Sequence, residues 1–187
     1  MATLRPFRDY SEHDVINLFA FDYSGTDIDA GNLVQIKSTA GFSAHDDLNQ
    51  DSTMLFDGLN NVVSDRYAVN ARVELAGSGE TPLGMMLYGC KEVDENGEKL
   101  IYNPRKAAEM QVTVSGQAVP VVTRGIFLVN NVDGTPSAAG LAYCGGSAAG
   151  DGKISATSGG SKVTIGRFLG PDTNADGTGD VLLKLEL

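Results

Sequence analysis

Two stretches of this chain alternate apolar and polar residues with a strict period of two. That pattern suits a strand with one buried and one wet face, and it does not suit a helix. From Arg66 to Leu75, the residues Tyr67, Val69, Ala71, Val73 and Leu75 share one side, and Arg66, Asn70, Arg72 and Glu74 share the other. From Val181 to Leu187, the apolar Val181, Leu183, Leu185 and Leu187 are set against Lys184 and Glu186. The second stretch predicts a C-terminal segment tied into a sheet.

Shorter apolar runs predict further strands at Val15–Phe21, Leu33–Lys37, Leu83–Cys90, Ala118–Val122, Gly125–Val129, Leu141–Cys144 and Lys162–Leu169. The turns between them draw on 23 glycines, while 42% of the residues remain hydrophobic, a balance that favours a folded, turn-rich body over disorder. Asn96-Gly97 between two short apolar segments predicts a type I′ hairpin. Asn131 to Gly134 and Gly145 to Gly152 read as turns. Asn103 followed by Pro104 predicts one short helix to Met110, with Asn103 as its cap. Ser38 to Asp65 is polar and weakly periodic, so it is either a functional loop or a missed strand. The expected fold is all-β: a compact barrel or sandwich over residues 15–187, preceded by an extended arm over residues 1–14.

The formal net charge is −10, which disfavours direct contact with nucleic acid or an anionic membrane. Between Asp22 and Asp65 eight aspartates face only Lys37. No apolar run reaches membrane-spanning length. The absence of Trp argues against a stacking platform for sugars or single-stranded nucleic acid. Cys90 and Cys144 stand in no metal-ligand or redox spacing, and Met1 to Asp9 lacks the apolar core of a secretory signal. These features predict folding in a reducing cytoplasm.

Few residues suggest chemistry. His13 and His45 sit in polar, aspartate-rich contexts, and no Gly-x-Ser-x-Gly elbow accompanies them. Gly145 to Lys153 fails the spacing of a phosphate loop. Asp46-Asp47 reads more simply as a solvated pair than as a glycosidase dyad. The sharpest pattern is Asp172-Thr173-Asn174-Ala175-Asp176-Gly177-Thr178-Gly179-Asp180. Asp172, Asn174, Asp176 and Asp180 resemble the first half of a calcium loop, but Leu183 stands where the bidentate glutamate belongs. A turn built from Asp, Asn and Gly is the preferred reading, so no cofactor is expected and calcium is the one ion to test. Catalysis is not expected.

The N-terminal segment carries Leu4 and Phe7 with nothing local to pack on, and Arg5 and Arg8 beside them. It either lies on its own body or docks on a neighbouring subunit. Met1 to Phe21 resembles the start of head decoration proteins of tailed phages, particularly those of cyanobacteria. The resemblance continues through Asn60–Tyr67, Pro82–Met85, Tyr102–Met110, Ser115–Phe127, Gly166–Gly170 and Val181–Leu187. It implies a β-rich, trimeric subunit on the outer surface of the virion head, with the major capsid protein and its own copies as partners. In that setting Leu4, Arg5, Phe7 and Arg8 are the expected capsid-binding residues, apolar anchors flanked by cations. An adhesin or carbohydrate-binding β-module is the alternative.

Overall fold

The structure, a computed structural model, describes residues 4–7, 11–23, 25–37, 44–45, 68–69, 72–114, 116–145, 151–171 and 179–187, with backbone alone at 44–45 and 68–69. Its strands are β1 (Leu4–Pro6), β2 (Val15–Ile16), β3 (Ala20–Phe21), β4 (Leu33–Ile36), β5 (Ala44–His45), β6 (Ala68–Val69), β7 (Arg72–Leu75), β8 (Gly84–Met86) and β9 (Gly89–Cys90). They continue as β10 (Val112–Thr113), β11 (Val121–Val122), β12 (Arg124–Val129), β13 (Val132–Asp133), β14 (Leu141–Cys144), β15 (Ile154–Ser155), β16 (Thr164–Pro171) and β17 (Val181–Glu186). One short helix, α1 (Pro104–Glu109), interrupts them. The described residues are all-β apart from that helix and two short 3-10 turns.

Two sheets make the body. The larger runs β1-β12-β17-β16-β14-β15-β13, and the smaller runs β2-β11-β8-β4-β7-β3. Each curls back on a segment it has already used. In the smaller sheet the two edge strands, β2 and β3, belong to one stretch of chain. Val15 and Ile16 pair with Val122 and Val121, and Ala20 then bridges Ala118, the same antiparallel ladder slipped by one residue. The predicted strand Val15–Phe21 is therefore one segment broken by a bulge, and its far end also pairs with β7. In the larger sheet β13 follows β12 after two residues, yet pairs with β15 at the opposite edge. The edges of the larger sheet are β1 and β13.

The residue pattern explains how the sheets stack. Along β17 Val181, Leu183 and Leu185 are buried while Lys184 and Glu186 are exposed, as the alternation requires. These side chains join Phe127, Val129, Ile165 and Phe168 in the main core. The smaller sheet contributes to that core from one face, through Leu33, Met85 and Val122. The residues adjacent to these in the chain, Val34, Met86 and Val121, pack on the other face with Phe21, Val73, Cys90 and Val119. A central sheet buried on both faces reads as a continuous apolar run, and Gly84-Met85-Met86 is such a run.

Backbone contacts clamp the two sheets together at one corner. The Leu33 amide donates to the Gly152 carbonyl, the Gly152 amide to Ala76, and the Ala76 amide to Leu33. Glycine is required beside this knot. Gly145 has a φ of 87°, and a Cβ there would lie 2.3 Å from the Ser78 amide nitrogen. Gly84 meets the Val122 carbonyl in the same way, at 2.5 Å from an added Cβ.

Several expectations are corrected. The Asn96-Gly97 turn is not type I′, because only Gly97 has a positive φ, 82°. The Asp94 carboxylate accepts from the Asn96 and Glu98 amides at 2.8 and 2.7 Å, and that local bonding selects a longer loop closed by the Asp94 amide on Glu98. Lys99 extends the hairpin by one bridge to Val93, after which Leu100–Tyr102 coil into a 3-10 turn. Pro104 does open the helix, but the Asn103 side chain makes no cap hydrogen bond. Val132–Asp133, expected as part of a turn, is a strand, and it pairs in parallel with a further strand, Ile154–Ser155. Most of 38–65 lies outside the described residues.

Candidate functional site

The N-terminal segment lies on its own body. Leu4, Arg5 and Pro6 pair antiparallel with Val129, Leu128 and Phe127, and the Phe7 amide donates to the Ile126 carbonyl at 2.9 Å. Proline suits this position because β1 is an edge strand. Leu4 turns inward and packs, half-buried, against the main core. Arg5 and Phe7 stand on the outer face, Phe7 with 57% of its surface exposed. Arg8 lies outside the described residues.

Arg5 is not a free cation. Its guanidinium donates to the Asp180 carboxylate, which is almost wholly buried. The pair ties the start of β1 to the start of β17, from opposite ends of the sequence. It also gives the fourth candidate calcium ligand an internal partner. Asp172, Asn174 and Asp176 lie outside the described residues. Among the described residues no group of three or more His, Cys, Asp or Glu converges as a metal site would require.

The outer face of the larger sheet continues from β1 across β12, β17, β16 and β14. Its register sets Leu141 beside Arg167, Arg167 beside Lys184, and Lys184 beside Ile126. One step along, Arg5 neighbours Leu128, which neighbours Leu182. Arg124 lies opposite Glu186. The Glu186 carboxyl is held below the usual range by the hydrogen bond from Lys184, helped by Arg124 and Arg167. A bulge between Phe168 and Gly170 presents Leu169 on the surface, 43% exposed. Arg124 and Arg167 have no ion pair of their own among the described residues. This face concentrates cations in an acidic chain, and period two alone could not reveal that, because cross-strand register decides which charges are neighbours.

Two other described carboxylates, Asp22 and Asp94, are structural. Asp22 bonds to both Lys37 and Arg72, tying the ends of β4 and β7. Burial would raise the Asp22 carboxyl, but the two cations together lower it. Asp94 has its side chain enclosed and receives Lys106 from α1, so the helix is pinned to the hairpin. The hydrogen bond from Lys106 lowers Asp94 against a smaller effect of burial. Burial pushes the thiols of Cys90 and Cys144 up to about 11, and both are free.

A shallow cleft of about 310 Å³ opens on the smaller sheet, lined by Val15, Asn17, Leu87, Tyr88, Thr113, Ala118 and Pro120. No nucleophile, acid or base lines it besides the Tyr88 and Thr113 hydroxyls. His13 is exposed on a 3-10 turn, and His45 lies on β5, where only backbone is described. Comparison with protein-family models, with curated proteins and with solved structures finds no match to this chain.

Proposed function

We propose that this chain is a non-enzymatic structural subunit of a virus particle, decorating and stabilising the outer surface of a tailed-phage head by bridging capsomers. The observation that supports it best is the kind of surface the body offers. A doubly covered β-core carries exposed apolar side chains, Phe7, Ile36, Tyr102 and Leu169 among them, on an acidic molecule. Such a surface suits adhesion between proteins. Of the segments that resemble decoration proteins, Asn60–Tyr67 lies outside the described residues, and the described parts of the others include β1, β2, β3, the start of β8, α1, β11, the start of β12, part of β16 and β17.

The physics of the role is linkage. A subunit that binds only the assembled shell stabilises that shell, and many small contacts combine across a lattice. Its partners are then the major capsid protein and further copies of itself, as a trimer. The acidic surface suits the outside of the head, away from the packaged genome.

Mild dissociation of purified particles, with copy number by quantitative mass spectrometry, tests this reading. Copies in the hundreds on the outer head are expected. Particles without this polypeptide, or turnover of any substrate by the isolated chain, would refute it. A second reading, a virion adhesin or carbohydrate-binding module, draws on the cleft at Tyr88. That cleft offers one aromatic side chain where a sugar platform uses several, and glycan-array binding lost in Tyr88→Ala would favour it.

A further inference from the structure

Among the described residues, Arg124, Arg167, Lys184 and Glu186 stand exposed on the outer face of the larger sheet. On it the cations Arg124, Arg167 and Lys184 outnumber Glu186, while Arg5 and Asp180 neutralise each other. The chain as a whole has 24 acidic residues against 14 basic ones. The positive face is therefore an exception on a negative protein, and the rest of any second copy is more acidic than the average. Apolar side chains fill the spaces between the charges: Ile126, Leu128 and Leu182 half-buried, Phe7, Leu141 and Leu169 exposed.

Three physical points narrow the occupant. The face cannot meet its own image comfortably, because a two-fold contact would set arginines against arginines. Charge complementarity favours an acidic surface, and a neighbouring copy carries one at equal concentration. The area is also substantial. Five strands spaced about 4.8 Å apart, with three to eight residues of about 3.3 Å each, present roughly 430 Å² in projection. That is about half of the roughly 800 Å² per partner of a standard interface, and side-chain relief adds to it.

We propose that the outer face of β1, β12, β17, β16 and β14 is a head-to-tail interface, with Arg124, Arg167 and Lys184 receiving the carboxylate-rich surface of a second copy. The contact joins unlike surfaces, so it cannot be a two-fold dimer, and the ring is the closed form of such a head-to-tail contact. It rests on the decoration reading, in which the subunit acts as a homo-oligomer, and it supplies that oligomer's contact face.

Sedimentation velocity of the purified full chain, at low and high sodium chloride, tests the interface without any particle. The expected result is a closed oligomer that dissociates as salt rises, because surface charge pairs are screened. Arg124→Glu with Arg167→Glu should weaken association at least about tenfold. Lys99→Glu with Arg105→Glu, on the hairpin and helix and outside the larger sheet, should leave it unchanged. Arg124→Gln with Arg167→Gln should give an intermediate loss, and circular dichroism checks that each variant folds. A chain monomeric at every concentration overturns the proposal, as does an oligomer indifferent to the Arg124 and Arg167 changes. Crosslinking of position 167 to position 167 would overturn it too. If a monomeric chain binds particles and the double reversal abolishes that binding, the face belongs to the shell and the proposal falls. Particle occupancy is measured apart, so failure of self-association leaves the decoration reading standing.

Discussion

Replacing Gly145 by alanine should weaken the fold more than any other single methyl addition in a turn. Two costs combine there. The backbone has a φ of 87°, where an L side chain is strained by about 1–2 kcal/mol. The new Cβ would also lie 2.3 Å from the Ser78 nitrogen and 2.6 Å from its Cα, atoms of backbone that cannot rotate away. Forcing such a contact apart costs about 1–3 kcal/mol, so the sum is roughly 2–5 kcal/mol. For a domain of this size each kcal/mol lowers Tm by about 2–4 °C. Gly97→Ala is the matched control, because its φ is 82° but nothing lies within 4 Å of an added Cβ. It should cost only the backbone strain, about 1–2 kcal/mol. Urea unfolding of the three proteins, followed by circular dichroism, separates the terms if the slopes agree. Equal losses in the two variants would refute the claim that the corner near Ser78 is closed by a steric fit.

Three further outcomes follow from the charges and thiols. Arg5→Ala leaves a buried carboxylate at Asp180 without its cation and should destabilise by about 1–3 kcal/mol, and Arg5→Ala with Asp180→Ala should recover part of that in a urea titration. Asp94 has a folded-state pKa depressed by Lys106, so its contribution is present above the unfolded carboxylate range near pH 4 and is lost as pH falls through the lower folded value. Stability profiles of the natural chain and of Asp94→Asn should therefore converge in acid; a constant gap down to the lowest pH would count against the pair. Cys90 and Cys144 are buried with thiols raised to about 11, so Ellman's reagent at pH 8 should label neither quickly until denaturant is added. Rapid labelling of the folded chain would show that the core opens readily.

What could be read from the residues alone was each strand's local geometry. Alternation at Val181 to Leu187 sorted buried from exposed side chains, because the pleat puts successive residues on opposite faces whatever the partner strand. Proline at 104 marked the helix start for an equally local reason, a preset φ and a missing donor. The all-β class and the turn-rich glycine content followed from the same short-range rules. Partnership was not legible. That Arg5 meets Asp180, that β13 pairs with β15, and that Val15–Phe21 closes the smaller sheet on itself depend on contacts far apart in sequence. The turn at Asn96 shows the same limit at short range, since an Asp94 side chain competing for amides outweighed the dipeptide's preference. The cationic outer face is likewise a product of register. Arg124, Arg167 and Lys184 are scattered along the chain, and only the order β12-β17-β16 makes them one surface, because charge acts through space and not along sequence.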